Sequence, residues 1–168
     1  MSNGMFDLTG KVAIVTGGNG GIGLGMACAL ATAGADIVVA ARNMSKTEKA
    51  VERLALSGVR TLGINTDVAD EASVAAMAQA TLDKLGRIDI MVNNAGVGIR
   101  KPPQDYILEE WNQVIDTNLT GTFLCSREVY PHMAGSGGGK IINVGSMTSI
   151  FGSDWVASYS ASKGGVVQ

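Results

Sequence analysis

The chain has 168 residues, of which 46% are hydrophobic, and its 13 basic and 15 acidic side chains give a net charge of −2. This length and composition suit a single globular domain over residues 1–168, and the lack of a basic surplus argues against a nucleic-acid partner. The first seven residues contain no basic segment before an apolar run and no apolar stretch is long enough to cross a bilayer, so we expect a cytoplasmic protein with no membrane partner.

Short apolar runs alternate with helix-length segments along the chain. The runs are Val12–Val15, Ile37–Ala41, Leu62–Ile64, Ile88–Val92 and Ile141–Val144. Runs of this kind are typical of parallel strands that are covered on both faces. The alternation therefore predicts an α/β fold, a doubly wound parallel sheet of five strands with right-handed crossovers.

The segments between the runs contain signals for the ends of helices. Ser45 with Glu48 predicts a capping box at the start of the second helix, and Asp70 predicts the N-cap of the third. A longer helix is predicted from about Asp105 to Met133. Glycines in the left-handed conformation are expected to end three helices, at Gly34, Gly58 and Gly86.

A glycine-rich turn follows the first predicted strand. Residues 16–23 are Thr-Gly-Gly-Asn-Gly-Gly-Ile-Gly, and an alanine-rich helix is predicted over Leu24–Ala33. Without side chains the backbone can approach a pyrophosphate, to which the helix N-terminus offers free N–H groups; a tight turn that needs positive φ is the simpler alternative. The position after the first strand favours a dinucleotide. No Lys-Ser or Lys-Thr pair follows the last glycine, which disfavours an NTPase.

The end of the second strand bears on which dinucleotide would bind. A carboxylate there would bond the adenosine ribose and repel an added phosphate, but this chain has Ala-Ala-Arg-Asn at residues 40–43. The guanidinium of Arg42 would instead favour a 2′-phosphate. We therefore predict NADP(H) as the preferred cofactor and NAD(H) as the second choice. The alternative is that Arg42 is one more solvated surface charge.

Tyr159 and Lys163 lie one helical turn apart near the end of the sequence, so that a phenol and an ammonium group share a face. A free tyrosine has a pKa of about 10, and an adjacent positive charge favours the phenolate. The pair predicts an acid/base catalyst. Taken singly, Tyr159 has the alternative of a half-buried packing residue and Lys163 that of a solvated charge.

The two cysteines give no sign of a metal site or a disulfide. Cys28 and Cys125 have neither CxxC spacing nor a matching cluster of histidines. We expect both to be plain buried thiols, and we predict no bound metal.

Together these motifs resemble the short-chain dehydrogenase/reductase family of NAD(P)-dependent oxidoreductases. They follow the family's order and spacing over the whole chain. The matching residues are Thr16, Gly17, Gly21 and Gly23 in the TGxxxGxG turn, Asp67 after the third strand, residues 93–96 (Asn-Asn-Ala-Gly) after the fourth, Asn118 in the next helix, Ser146 after the fifth strand, and Tyr159 with Lys163. The resemblance implies a Rossmann-type domain that works as a homotetramer or homodimer.

The resemblance also implies a catalytic tetrad of Asn118, Ser146, Tyr159 and Lys163. Tyr159 would pass a proton to or from the substrate oxygen, which Ser146 would hold by a hydrogen bond. The backbone carbonyl of Asn118 would hold a water that links Lys163 to bulk solvent. Lys163 would also bind the nicotinamide ribose.

Further residues are implied in cofactor binding. Asp67 and Val68 would contact the adenine, while Asn94 to Gly96 would back the cofactor site. The complete set of candidate cofactor-binding residues is Thr16, Gly17, Asn19, Gly21, Ile22, Gly23, Arg42, Asn43, Asp67, Val68, Asn94, Ala95, Gly96, Tyr159 and Lys163.

Substrate contacts are expected from Ser146, Met147, Trp155 and Tyr159, together with the segment Val97–Lys101. Hydroxyl and amide groups beside one indole would suit a small sugar, sugar acid or polyol. Trp155 has the alternative of a packing or subunit-contact aromatic. The sequence around the fifth strand resembles the sugar and sugar-acid dehydrogenases, with the 3-oxoacyl carrier-protein reductases as the second choice.

Members of the family usually continue past the position of Gln168 with a sixth and a seventh strand, which this chain lacks. We therefore expect a C-terminally truncated form, a complementing second chain or an incomplete sequence. The fifth strand would then be an uncovered edge. The 168-residue chain alone is expected to bind NADP(H) weakly at best and to be inactive. The alternative from another class is a non-catalytic dinucleotide-binding module.

Overall fold

The computed structural model describes residue 4 and residues 6–168, so the expectation for the first seven residues rests partly on positions outside this range. The strands are β1 Val12–Thr16, β2 Asp36–Ala41, β3 Thr61–Asn65, β4 Ile90–Asn93 and β5 Lys140–Asn143. The α-helices are α1 Gly21–Thr32, α2 Met44–Ala55, α3 Glu71–Leu85, α4 Leu108–Ile115, α5 Gly121–Gly135 and α6 Ala157–Val167.

The strands form one parallel sheet in the order β3-β2-β1-β4-β5. This confirms the predicted doubly wound α/β fold. The order reverses between β1 and β4, because the chain first builds outward from β1 to β3 and then continues on the other side. A crevice opens at the carboxyl ends of strands where the order reverses in this way, which is where such sheets bind ligands.

Strands β1, β2 and β4 are buried, as their continuous apolar runs predict, whereas β5 is exposed. Val12 and Ile14 of β1 pack in a buried cluster with side chains of α3 and α5. The alternate residues Ala13 and Val15 pack on the other face with side chains of α1 and α2. The strand period of two therefore divides β1 between two cores, which together hold the crevice rigidly.

The predicted N-cap and the three predicted C-terminal glycines are confirmed, and the predicted capping box is wrong. The carboxylate of Asp70 accepts a 2.9 Å hydrogen bond from the N–H of Ala72, and Gly34, Gly58 and Gly86 all have positive φ. The capping box of Ser45 and Glu48 does not form, because α2 begins two residues earlier than that motif indicates. Asn43 is the N-cap, and its Oδ1 accepts a 3.0 Å hydrogen bond from the N–H of Lys46.

The long helix predicted from about Asp105 to Met133 begins later and is not uniform. Pro103–Asp105 form a separate 3-10 turn, and the helix runs from Leu108 to Gly135. A π turn over Asp116–Thr120 separates α4 from α5. This turn holds one residue more than an α-helical turn, and such insertions are frequent at functional sites.

Strand β5 forms one edge of the sheet, and all four of its residues are exposed. Ile142, for example, is 46% exposed.

Cys125 is fully buried, as predicted, and burial raises its pKa to about 12. Cys28 is only half-buried, so the prediction for this thiol is wrong in part. No helix in residues 6–168 combines the length and the apolar character needed to cross a bilayer.

Candidate active site

The glycine-rich turn forms the floor of the crevice between β1 and β4. Gly17 and Gly21 have positive φ, at 63° and 52°, which favours glycine over other residues. At Gly23 a Cβ atom would lie 2.5 Å from the carbonyl oxygen of Gly17 and closer still to the side-chain nitrogen of Asn94. No side chain fits at this position, so the turn and the start of α1 can pack directly against each other.

The first turn of α1 is open to a ligand. Its N-cap, Gly20, has no side chain to bond the free N–H groups of the helix, and no acidic residue stands in the first turn. Uncapped N–H groups and the positive end of the helix dipole are what a pyrophosphate requires. Together with the close approach at Gly23, this arrangement fits a dinucleotide.

Thr16 and Asn94 tie the turn to the end of β4. The Thr16 hydroxyl donates to the carbonyl of Val92 at 3.2 Å and accepts from the N–H groups of Asn94 and Ala95, at 3.1 and 3.0 Å. The side-chain nitrogen of Asn94 donates to the carbonyl of Thr16 at 2.9 Å. The Thr16 hydroxyl and the side-chain nitrogen of Asn94 therefore hold the two loops together beneath the crevice.

Beyond the glycine turn the crevice continues into a cleft of about 230 Å³. Eight of the predicted cofactor-binding residues line it: Gly17, Asn19, Arg42, Asn43, Asp67, Val68, Ala95 and Gly96. The floor of the crevice contains four more of them, Thr16, Gly21, Gly23 and Asn94. Ile22 is 74% exposed at the start of α1 and lies outside the lining of the cleft. Lys46 and Thr117 also line the cleft, and neither is among the residues predicted from the sequence.

Arg42 and Lys46 place two cations at the outer end of this cleft. Arg42 Nη1 lies 3.9 Å from Asp67 Oδ2 across the cleft, and both side chains are largely solvent-accessible. The side-chain nitrogen of Asn19 donates to the carbonyl of Asn43 at 3.3 Å, which joins the glycine turn to the start of α2. Lys46 lies in the first turn of α2, three residues after its N-cap Asn43, and so lines the cleft next to Arg42.

Asn118 lies in the π turn and is fully buried. Its Oδ1 accepts a 2.8 Å hydrogen bond from the N–H of Val97, and its Nδ2 donates to the carbonyl of Val97 at 2.9 Å and to Ser162 Oγ at 3.0 Å. The backbone carbonyl of Asn118 accepts from the Thr122 hydroxyl at 2.8 Å. One asparagine thus joins the loop after β4 to helix α6.

Tyr159 and Lys163 lie on the same side of α6, with Lys163 Nζ 5.9 Å from the centroid of the Tyr159 ring. Lys163 is only 3% exposed, and its ammonium group donates a 2.6 Å hydrogen bond to the carbonyl of Val144, just after β5. Burial lowers the pKa of Lys163. Gly98 lies against the tyrosine, since a Cβ atom there would be 3.5 Å from ring atom Cδ2.

Ser146 begins a 3-10 turn over Met147–Ser149, directly after β5. Its Oγ accepts hydrogen bonds from the N–H of Thr148 at 3.2 Å and from the Thr148 hydroxyl at 3.0 Å. This 3-10 turn packs against α6. The Ser146 proton is therefore the part of this hydroxyl still free to be donated, within a turn that lies beside the helix of Tyr159.

The predicted substrate residues Met147 and Trp155 are both exposed, Met147 more so than Trp155. The guanidinium carbon of Arg100 lies 5.9 Å from the Trp155 ring centroid, and the N–H of Lys101 donates to the carbonyl of Trp155 at 3.0 Å. Lys101 also pairs with Glu110 of α4, and this hydrogen bond lowers the pKa of the Glu110 carboxyl. The loop after β4 is thus fixed to the segment before α6.

Two comparisons with known proteins agree with this geometry. The family model for short chain dehydrogenases matches residues 11–168. The NAD+-bound structure of a xylitol dehydrogenase superposes with a TM-score of 0.92 at 34% identity, over 95% of this chain and 62% of that one.

Three curated relatives are 38% to 42% identical to this chain. They are D-threitol dehydrogenase of Mycolicibacterium smegmatis (42% identity, 96% of this chain and 62% of the relative), 3-oxoacyl-[acyl-carrier-protein] reductase of Synechocystis sp. (39%, 97% and 66%), and 2-dehydro-3-deoxy-D-gluconate 5-dehydrogenase of Dickeya dadantii (38%, 96% and 64%). The chain therefore spans less than two thirds of the length of each of these relatives.

Proposed function

We propose that this chain, which belongs to the short chain dehydrogenase family, forms the dinucleotide-binding domain, residues 1–168, of an oxidoreductase that interconverts small alcohols and ketones with NADP(H). The observation that carries the proposal is the buried ammonium group of Lys163, which lies 5.9 Å from the ring of Tyr159 and is hydrogen-bonded to the carbonyl of Val144 just after β5. A buried cation beside a phenol is the arrangement that proton transfer to a carbonyl oxygen needs.

Three side chains and one backbone carbonyl of this chain would carry the proton chemistry. Tyr159 would give its proton to the carbonyl oxygen, or accept the alcohol proton in the opposite direction. Lys163 would stabilise the negative charge that develops on the phenol oxygen, and Ser146 would donate a hydrogen bond to the substrate oxygen. The backbone carbonyl of Asn118 accepts a hydrogen bond from the Thr122 hydroxyl, and its second lone pair would hold a water to resupply the proton. The bound nicotinamide would supply or accept the hydride at its C4 position.

NADP(H) is proposed over NAD(H) because of the charges at the outer end of the cleft. Arg42 and Lys46 both line it, and the end of β2 bears Ala40 and Ala41 where a carboxylate would select NAD(H). The ion pair of Arg42 with Asp67 is long and exposed, so its loss on binding a phosphate would cost little. NAD(H) is the second choice, and the xylitol dehydrogenase structure contains NAD+.

The proposed substrate is a small sugar acid, sugar or polyol. Arg100 stands over Trp155 beside the loop that contacts Tyr159, where a guanidinium would pair with a carboxylate and an indole would cover a carbon chain. The names of the threitol and gluconate relatives agree with this class. A 3-oxoacyl thioester is the alternative, because one relative of similar identity is named as such a reductase.

The decisive experiment measures NADPH oxidation against sugar ketones, keto acids of sugars and an acetoacetyl thioester. It would use this chain and a family-length form, in which Gln168 is followed by the corresponding C-terminal segment of the threitol dehydrogenase. We expect turnover in the family-length form. For this chain alone we expect weak cofactor binding without turnover, because β5 forms an exposed edge of the sheet. Cofactor binding without turnover in both forms would instead favour a non-catalytic dinucleotide-binding module.

We further propose a cytoplasmic homotetramer or homodimer that joins through α5 and α6. Phe123 and Tyr130 on α5 are exposed aromatic residues, and aromatic groups are enriched at subunit contacts. Sedimentation of the family-length form would test this assembly. The net charge of −2 gives no support for a nucleic-acid partner.

A further inference from the structure

Ser162, the residue before Lys163, is fully buried and joins two parts of the candidate site. Its Oγ accepts a 3.0 Å hydrogen bond from Asn118 Nδ2 and donates one of 2.8 Å to the backbone carbonyl of Tyr159. A single hydroxyl therefore connects Asn118 to the turn of α6 that bears both Tyr159 and Lys163.

The direction of these hydrogen bonds is fixed by Val97. Because the N–H of Val97 donates to Asn118 Oδ1, the amide of Asn118 must present its Nδ2 group toward α6. The partner on α6 must then accept a hydrogen bond from Asn118 and donate one to Tyr159 at the same time. Only a hydroxyl group has both capacities at this size.

Packing brings α6 close to the π turn but does not fix its rotation. At Gly165 a Cβ atom would lie 2.8 Å from Leu119 Cδ2, so the two elements approach more closely than a larger residue would allow. Contact between a glycine and an apolar side chain has little directional preference, because dispersion is not directional. Hydrogen bonds are directional. The one from Asn118 to Ser162 sets the angle of α6 against the π turn, and the one from Lys163 to the carbonyl of Val144 joins the same helix to the end of β5.

We infer that Ser162 is a positioning residue that fixes helix α6 on the Asn118 turn and so holds Tyr159 and Lys163 in the arrangement needed for proton transfer. This inference rests on the proposed oxidoreductase function. Without the Ser162 hydroxyl, the buried Nδ2 group of Asn118 keeps only the carbonyl of Val97 as an acceptor, and α6 loses the hydrogen bond that holds it to the π turn.

Ser158 provides a matched control one turn earlier on α6. Like Ser162 it is fully buried, but within the part of the chain that the structure describes its Oγ has no hydrogen-bond partner. Ser158→Ala therefore removes a hydroxyl from a serine that matches Ser162 in helix and in burial, but it breaks no hydrogen bond between elements.

The test compares Ser162→Ala, Ser162→Thr and Ser158→Ala in the family-length form. For S162A we expect kcat to fall about tenfold, the KM for NADPH to stay within about twofold, and the pH at half-maximal turnover to rise. S162T, which keeps the hydroxyl, should recover most of kcat, and S158A should match the parent. Parental kcat and pH profile in S162A, or equal losses in S162A and S158A, would overturn the inference.

Two further measurements keep the inference separate from folding and from the proposed function. If S162A does not fold, Ser162→Cys has the same expectation, since a thiol fills the space but bonds weakly. If the parent shows no turnover, the proposed function fails. The inference about Ser162 is then tested by ultraviolet titration of tyrosinate. Comparison with Tyr159→Phe gives the part of the signal that comes from Tyr159. That component should move to higher pH in S162A and not in S158A; no movement in S162A contradicts the inference.

Discussion

The ammonium group of Lys163 donates its 2.6 Å hydrogen bond to the backbone carbonyl of Val144, so that a buried charge on α6 holds the segment that leaves β5. A carbonyl dipole compensates only part of the hydration that a lysine loses on burial. This is why the pKa of Lys163 is lowered, and it links the stability of the fold to pH.

Stability should rise at alkaline pH through Lys163. The folded state releases the lysine proton at a lower pH than the unfolded state, whose lysine has a pKa of about 10.4. Between these two values the unfolded state binds more protons, so the free energy of unfolding increases with pH and then levels off. Urea unfolding at a series of pH values should show this rise in the parent and not in Lys163→Met. A parallel course for both proteins would contradict the expected burial of the charge.

Tyr159→Phe removes the proposed proton donor and leaves the ring that packs beside Gly98. We expect kcat in the family-length form to fall by about a thousandfold, while NADPH affinity stays within about twofold. Stopped-flow turnover and fluorescence titration with NADPH would measure the two quantities. Tyr130→Phe, at an exposed position on α5, is the matched control and should behave as the parent.

Gly23→Ala tests the close approach beneath the cofactor site. Its Cβ atom would collide with the backbone of Gly17 and the amide of Asn94, so we expect a loss of about 1–3 kcal/mol in the free energy of unfolding and weaker dinucleotide binding. Chemical unfolding and NADPH titration would check both effects.

The matched control is Gly25→Ala in the same helix, where a Cβ atom would meet nothing within 4 Å. Because alanine is the better helix former, this substitution should stabilise the fold by up to about 1 kcal/mol. Equal destabilisation by the two substitutions would mean that the contact at Gly23 is not the cause.

Arg42→Ala tests the choice of dinucleotide. Without the guanidinium, the KM for NADPH should rise about tenfold while that for NADH changes little, since only the phosphorylated cofactor would meet the lost charge. Arg53→Ala, in the last turn of helix α2, serves as the control for a lost positive charge. A similar rise for both cofactors would indicate that Arg42 supports the fold of the cleft instead.

Arg100→Ala tests the substrate class. We expect the KM for a sugar-acid ketone to rise about tenfold and that for a neutral polyol ketone to stay nearly constant, because only the acid has a carboxylate to lose its partner. Arg100→Lys should recover part of the affinity for the acid. If all substrates weaken equally, the contact of Arg100 with Trp155 acts on the shape of the loop.

The alternation of strands and helices and the glycine turn after β1 could be predicted from the sequence, because both depend on local signals. Apolar runs mark the strands, and the glycine turn after β1 marks the switch point of the sheet. Prediction from short sequence motifs also has a limit, as the start of α2 shows. Ser45 and Glu48 have the spacing of a capping box, but Asn43 lies nearer to the end of β2 and is the residue that caps the helix. Two competing caps within three residues cannot be ranked by spacing.

The connections within the candidate site could not be predicted. The bonds that join Asn118 to Val97 and to Ser162 cross 21 and 44 positions of the chain and depend on how α6 packs. The π turn has no periodic signature, because a single inserted residue leaves the apolar pattern on either side intact. The contact of Arg100 with Trp155 likewise arises only when two loops meet.

The π turn determines how this helix tolerates changes in length. Each residue advances an α-helix by about 100°, so the extra residue rotates α5 by that angle relative to a continuation of α4. Leu124, Cys125 and Val129 reach the core only at this rotation. A single-residue deletion between 116 and 120 would restore regular helix geometry, but it would turn the apolar face of α5 away from the sheet. A regular α-helix at this point in the chain is therefore incompatible with the packing of α5 on the core.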